Sequence, residues 1–264
     1  MDDIMKLKHQ VAIVTGSGRG IGRGIAEVFS REGAKVVIAT RTVEEGKAVE
    51  HNIRQSGGEA FFVQTDVASE SSVQQMVEQT TEKYGKIDVL VNNAGITLFK
   101  PLLEATVEDW EHVINIDLRG TFLCSKYVLP EMMKQQKGSI INISSNHAVA
   151  TLPDTEIYAA AKAGVNGMTR SMALSLGKYG IRVNAICPGF TDTPHYQNWL
   201  SETGDPDKVE EEVKHFHATS RICKPEDIGK LAVYLASDDS AMMTGEALIL
   251  DGGLTARLYK SKIC

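Results

Sequence analysis

Val11-Ala12-Ile13-Val14-Thr15-Gly16-Ser17-Gly18-Arg19-Gly20-Ile21-Gly22 is the stretch that decides how this chain is read. Four small or β-branched apolar residues form a run of strand length. A glycine-rich turn follows, and Ile21 to Glu32 then carries helical periodicity. Glycines at 16, 20 and 22 permit a tight turn and let a pyrophosphate approach the backbone. The helix start supplies N–H donors and positive potential. The spacing is not GxGxxG, because the third glycine counted from Gly16 would fall at Ile21; it is TGxxxGxG. A glycine turn with no ligand would show the same residues. The order of strand, turn and helix is what argues for a dinucleotide cradle.

Outward from this unit the pattern repeats. Val36-Val37-Ile38-Ala39, Phe61-Phe62-Val63, Val89-Leu90-Val91, Ile140-Ile141-Asn142-Ile143, Val183-Asn184-Ala185-Ile186 and Ala247-Leu248-Ile249-Leu250 are short apolar runs that barely alternate. Strands buried on both faces of a parallel sheet read this way. The segments between them read as helices. Pro225-Glu226-Asp227 opens one, with proline suited to the first position and acids to the positive dipole end. Ile228, Leu231, Ala232 and Leu235 then mark its apolar face. The prediction is an α/β fold: a Rossmann-like, doubly wound, seven-stranded parallel sheet flanked by helices. One domain spans 1–264. Within it, 190–221, with Pro194, Gly204 and Pro206, reads as a less regular excursion at the ligand-binding edge of the sheet.

Bulk properties narrow the function. The 264 residues carry a formal net charge of −6. A surface that tracks nucleic-acid phosphates is normally basic, so no nucleic-acid partner is expected. No apolar run is long enough to span a bilayer, and the N-terminus has no signal-like core, so a cytoplasmic protein is expected. Cys124, Cys187, Cys223 and Cys264 form no CxxC pair, and no histidine–carboxylate grouping has metal-site spacing. Free thiols and no metal are expected.

Tyr158 and Lys162 lie four residues apart, on one face of a predicted helix rich in small residues. A free tyrosine, with a pKa of about 10, is a weak base at neutral pH. A neighbouring ammonium stabilises phenolate and improves the group as a proton carrier. Such a pair can take a proton from an alcohol, or give one to a carbonyl, while hydride moves at carbon. An exposed tyrosine–lysine pair is the bland alternative.

Together these motifs resemble the short-chain dehydrogenase/reductase (SDR) family over nearly the whole chain. Its TGxxxGIG fingerprint is met by Thr15 to Gly22, its NNAG motif by Asn92-Asn93-Ala94-Gly95, and its YxxxK by Tyr158 to Lys162. Asp66-Val67 follows the third strand, Pro188-Gly189 the sixth, and Asp251-Gly252-Gly253 the seventh. The resemblance implies oxidoreduction between a carbonyl and a secondary alcohol with NAD or NADP. It implies a catalytic set of Asn115, Ser145, Tyr158 and Lys162. Ser145 lies thirteen residues before Tyr158, which favours it over Ser144. Asn115 would hold a water that relays protons through Lys162. The implied cofactor contacts are Gly16, Ser17, Arg19, Gly20, Ile21, Gly22, Thr40, Arg41, Asp66, Val67, Asn93, Ala94, Gly95, Tyr158, Lys162, Pro188, Gly189, Thr191 and Thr193. A homotetramer is also implied, packed through helices around 107–133 and 157–178.

NAD-preferring members of the family end the second strand in an acid; this chain has Thr40 there, followed by Arg41, with Arg19 in the glycine loop. Guanidinium groups without that carboxylate favour the 2′-phosphate of NADP. Ser145, Asn146, His147, His195, Tyr196 and Trp199 are candidate substrate walls, as are Glu156, His215 and His217. Their polarity suggests a small polar substrate. Two other functions remain open. One is a 3-oxoacyl-[acyl-carrier-protein] reductase, for which Lys126, Lys134, Lys137 and Lys178 could form a docking patch. The other is a non-catalytic nucleotide-binding sensor or scaffold.

Overall fold

The computed structural model describes residues 5–257. Seven parallel strands form one sheet in the order β3-β2-β1-β4-β5-β6-β7. They are β1 (Val11–Thr15), β2 (Lys35–Thr40), β3 (Glu59–Gln64), β4 (Val89–Asn92), β5 (Gly138–Ile143), β6 (Ile181–Pro188) and β7 (Ala247–Leu250). β1 is central, and Ile13 stands in register between Val37 and Leu90. All five of its residues are buried, which is why its sequence does not alternate.

Alternate strand residues feed two cores. Ala12, Val14, Val36, Ile38 and Ile141 face one side. There they meet α1 (Gly20–Arg31), α2 (Val43–Gln55) and α9 (Pro225–Ala236) through Ile25, Phe29, Val49 and Ile228. Ile13, Val37, Leu90 and Ile140 face the other side. Met76 of α3 (Glu70–Tyr84), Leu123 and Val128 of α5 (Gly120–Gln135), and Ala173 of α6 (Glu156–Leu176) cover them.

Two regions differ from the sequence expectation. The predicted helix across 107–133 is α4 (Val107–Val113), a π-helical segment (Ile114–Arg119) and then α5. The wider π turn changes which residues face inward, and Asp117 becomes buried within it. The excursion at 190–221 is also not irregular. It contains α7 (Pro194–Ser201) and α8 (Pro206–Phe216), each opening on proline behind a capping side chain, Thr193 and Asp205. Tyr196, Leu200, Val213 and Ile222 give this lobe its own small core.

Candidate active site

Strand order reverses between β1 and β4, the position at which doubly wound sheets open a crevice beyond their carboxyl ends. A cleft of about 470 Å³ lies there. Its floor is built from backbone. Gly16 and Gly20 have φ of +64° and +56°, a region that disfavours side chains. A Cβ on Gly22 would collide with Gly16 O and Asn93 Nδ2, so glycine lets α1 seat against the loop. Ser17 is fully buried and closes the turn by donating to Val14 O at 2.7 Å.

The turn after β4 is locked to this loop by Thr15. Its Oγ1 accepts from the amides of Asn93 (3.0 Å) and Ala94 (3.1 Å) and donates to Val91 O (3.3 Å). Asn93 Nδ2 returns a bond to Thr15 O at 2.9 Å. The start of α1 has no side-chain cap and no acid in its first turn. Its first N–H groups and positive dipole end are therefore available to an anion in the cleft.

The opposite wall carries the proton chemistry. Tyr158 and Lys162 stand one turn apart on α6, and Lys162 Nζ lies 5.5 Å from the Tyr158 ring centre. Lys162 is 4% exposed. Its ammonium donates to Ile143 O at 3.2 Å and pairs with Asp117 Oδ2 at 3.1 Å. Burial pulls the Lys162 ammonium down, but Asp117 and Tyr158 oppose this, and the net direction is up. The His147 ring packs edge-on to Tyr158 at 5.5 Å, and burial lowers its imidazolium.

The residues expected from sequence fall into two groups. Gly16, Arg19, Gly20, Ile21, Thr40, Arg41, Asp66, Val67, Asn93, Ala94, Gly95, Tyr158, Lys162, Thr193 and His195 line the cleft. Ser17, Gly22, Pro188, Gly189 and Thr191 shape the backbone behind it instead. Thr191, for example, turns its hydroxyl to Gly189 O at 3.0 Å. Asn115 is a correction. Asp117, not Asn115, lines the cleft and meets Lys162. Residues two apart on a helix point to nearly opposite sides, so both cannot serve one site.

Ser144 donates to Lys162 O at 3.1 Å, whereas Ser145 accepts from His147 N at 3.2 Å and donates to Asn146 Oδ1 at 3.2 Å. Ser145 therefore caps the turn at the end of β5. Tyr196 is a second correction: it is 5% exposed and turns into the lobe core with Phe190 and Trp199, away from the cleft. Its ring packs there with Leu200, Val213 and Ile222. His217 is also buried there, its Nδ1 against Val213 O at 2.8 Å, and does not line the cleft.

Two residues outside the motifs of the sequence reading, Asp117 and Glu45, matter here, as does Thr15, which heads the TGxxxGIG stretch and acts as a structural strut. Glu45 lines the far end of the cleft and lies 3.8 Å from Arg19 Nη1. The end of β2 thus lacks a carboxylate, but α2 brings one nearby. Asp117 has a legible signal, as the lone acid among Val113, Ile114, Ile116 and Leu118. Among the described residues, no group of three or more histidine, cysteine or acidic side chains is arranged to hold a metal ion. Among them, too, no helix is long and apolar enough to cross a membrane.

Known proteins are similar to this chain in sequence and in fold. Residues 16–255 match the family model described as enoyl-(acyl carrier protein) reductase. An uncharacterized oxidoreductase of Thermotoga maritima is 43% identical, over 96% of this chain and 98% of its own. A 3-oxoacyl-[acyl-carrier-protein] reductase of the same organism is 38% identical over 95% and 99%. The crystal structure of a gluconate 5-dehydrogenase from Burkholderia cenocepacia, in complex with NADP and tartrate, superposes with a TM-score of 0.90 at 30% identity, covering 97% of this chain and 99% of that one. With its seven-stranded sheet, glycine cradle and Tyr158–Lys162 wall, the chain belongs to the short-chain dehydrogenase/reductase family of oxidoreductases.

Proposed function

We propose that this protein interconverts a carbonyl and a secondary alcohol with a nicotinamide dinucleotide, NADP in preference to NAD, on a small polar substrate. The observation that carries this reading is Tyr158 beside Lys162 on one wall of a cleft whose other end is the glycine cradle. The cradle fits a dinucleotide: left-handed glycines, an uncapped helix start, and the Asn93-Ala94-Gly95 turn opposite. When bound, the nicotinamide supplies or accepts the hydride.

The chain's own residues then handle the proton. Tyr158 gives its hydroxyl proton to the carbonyl oxygen in reduction and takes it back in oxidation. Lys162 holds a positive charge against the tyrosine ring and would bond the ribose hydroxyls. Ser145, at the adjacent turn, would steady the substrate oxygen. Thr193 caps α7 and packs over Gly20, where it would approach the carboxamide. Arg19 and Arg41 beside Thr40 would receive a 2′-phosphate. His195, at the mouth, supports a polar substrate.

Of the four lysines that could form a dock for an acidic carrier protein, Lys126, Lys134 and Lys137 pair with Glu70, Glu131 and Asp238, and Lys178 lies over the Tyr179 ring, which argues against that reading. Assembly as a homotetramer accounts for large apolar side chains exposed on α4 to α6: Val107, Trp110, Phe122 and Leu174. Three free, buried cysteines accord with a cytoplasmic location; Cys264 lies outside the described residues.

The test is oxidation of NADPH and NADH against a panel of carbonyl compounds, run with the wild type and Tyr158→Phe. Loss of general acid catalysis is expected to lower kcat/KM by about 100-fold or more. Turnover that survives Tyr158→Phe would refute the role, and binding without turnover of any carbonyl would support a sensor.

A further inference from the structure

Asp117 is the one carboxylate seated against Lys162 among the described residues, and nothing in the proposed reaction requires an acid there. It is 1% exposed. Its two oxygens are used differently. Oδ1 accepts from Ile96 N at 2.9 Å, which ties the π-helical segment to the turn after β4. Oδ2 is buried and forms an ion pair with Lys162 Nζ at 3.1 Å. A Cβ on Gly95 would lie 2.9 Å from Oδ2 and 3.2 Å from Nζ, so a glycine at 95 makes room for the pair.

We infer that Asp117 is a positioning residue that cancels the charge of Lys162, keeps Tyr158 in its proton-donating form through neutral pH, and so tunes this site toward carbonyl reduction. The inference rests on the oxidoreductase reading above. It follows from counting charge around the pair. Tyr158 shares α6 with Lys162 and is neutral when it holds its proton. His147 comes from the turn after β5 and, its imidazolium lowered by burial, is neutral in the working range. Cys187 comes from β6, and burial pushes its thiol up, so it too is neutral.

Lys162 and Asp117 then sum to zero. The next proton lost from this buried cluster would leave it with a net negative charge, which a low-dielectric site resists. Without the carboxylate the cluster begins at one positive charge, and losing a proton brings it to neutrality. The comparison concerns the cluster as a whole, so it holds whichever group releases the proton. In the reducing direction hydride goes to the carbonyl carbon, the Tyr158 proton goes to the oxygen, and solvent replaces that proton. A neutral pair favours this state.

The experiment compares pH profiles of kcat/KM for alcohol oxidation in the wild type, Asp117→Asn and Asp117→Glu. The rising limb is expected to move to lower pH by about one unit or more in Asp117→Asn, and to stay near the wild-type position in Asp117→Glu. An unmoved limb, or one moved to higher pH, overturns the inference. Ultraviolet titration adds a readout that needs no substrate: the tyrosinate band of Tyr158, isolated by difference against Tyr158→Phe, should develop at lower pH in Asp117→Asn. If that variant does not fold, the wild type alone decides, because a Tyr158 tyrosinate band at neutral pH would overturn the inference and its absence would support it. Full activity in Tyr158→Phe would instead mark failure of the underlying reading.

Discussion

Thr15→Val isolates the strut that joins the two halves of the cleft. Valine has nearly the same shape, so the substitution removes a hydroxyl without opening a cavity. Thr15 is 1% exposed, and its Oγ1 accepts from two backbone amides, Asn93 N and Ala94 N. Valine leaves both donors, and the Val91 carbonyl, without that partner. An unsatisfied buried group costs about 1–3 kcal/mol. Asn93 and Ala94 are only half-buried, so each falls in the lower part of that range. The expected loss is about 2–4 kcal/mol. Urea denaturation should show a lower midpoint at unchanged slope, and Thr15→Ser should recover most of the difference. Because the strut aligns Asn93-Ala94-Gly95 with the glycine cradle, cofactor KM should also rise. A loss below about 1 kcal/mol would refute the reasoning, since the two amides would then have found water or never depended on Thr15.

Two further predictions follow from ion pairs. Arg19→Ala should lower kcat/KM for NADP by about tenfold or more, as expected for one charge-assisted phosphate contact, and leave NAD nearly unchanged, whereas Glu45→Gln should raise the NADP to NAD ratio; steady-state kinetics with both cofactors decides, and equal effects on both would sink the assignment. Asp227 caps the start of α9 through Lys224 N at 2.8 Å and pairs with Arg221 at 2.6 Å, and the Arg221 bond holds its carboxyl below the usual range. A depressed carboxylate stabilises the fold above its unfolded value of about 4 and loses that contribution as pH falls through the folded one. Asp227→Asn should therefore lower the melting temperature at pH 7 and match the wild type at low pH; a deficit that persists in acid would show that the pair does not act through charge.

The parts legible in the sequence are those whose physics is local. The seven apolar runs all form strands; β1, β2, β4, β5 and β6 are buried almost throughout, whereas the edge strands β3 and β7 are only partly buried. Pro225 with Glu226 and Asp227 marks a helix start by chemistry within one turn. The segment 190–221 reads as less regular in sequence because Pro194, Gly204 and Pro206 resemble loop signals, whereas both prolines open helices. The resemblance implies Asn115, through its residue type and place before the fifth strand. The π turn that presents Asp117 in its place comes from backbone geometry, which no residue type announces.

By itself, the sequence determined the sheet, the glycine cradle and the pairing of Tyr158 with Lys162, because spacing along a helix or strand is settled within a few residues. Tertiary structure alone decided which groups meet across the cleft. Thr15 finds the Asn93 amide 78 residues away, Asp117 finds Lys162, Glu45 finds Arg19, and Tyr196 turns away into its own core. Those encounters depend on how whole elements dock around the reversal between β1 and β4, and docking is set by packing summed over the entire chain.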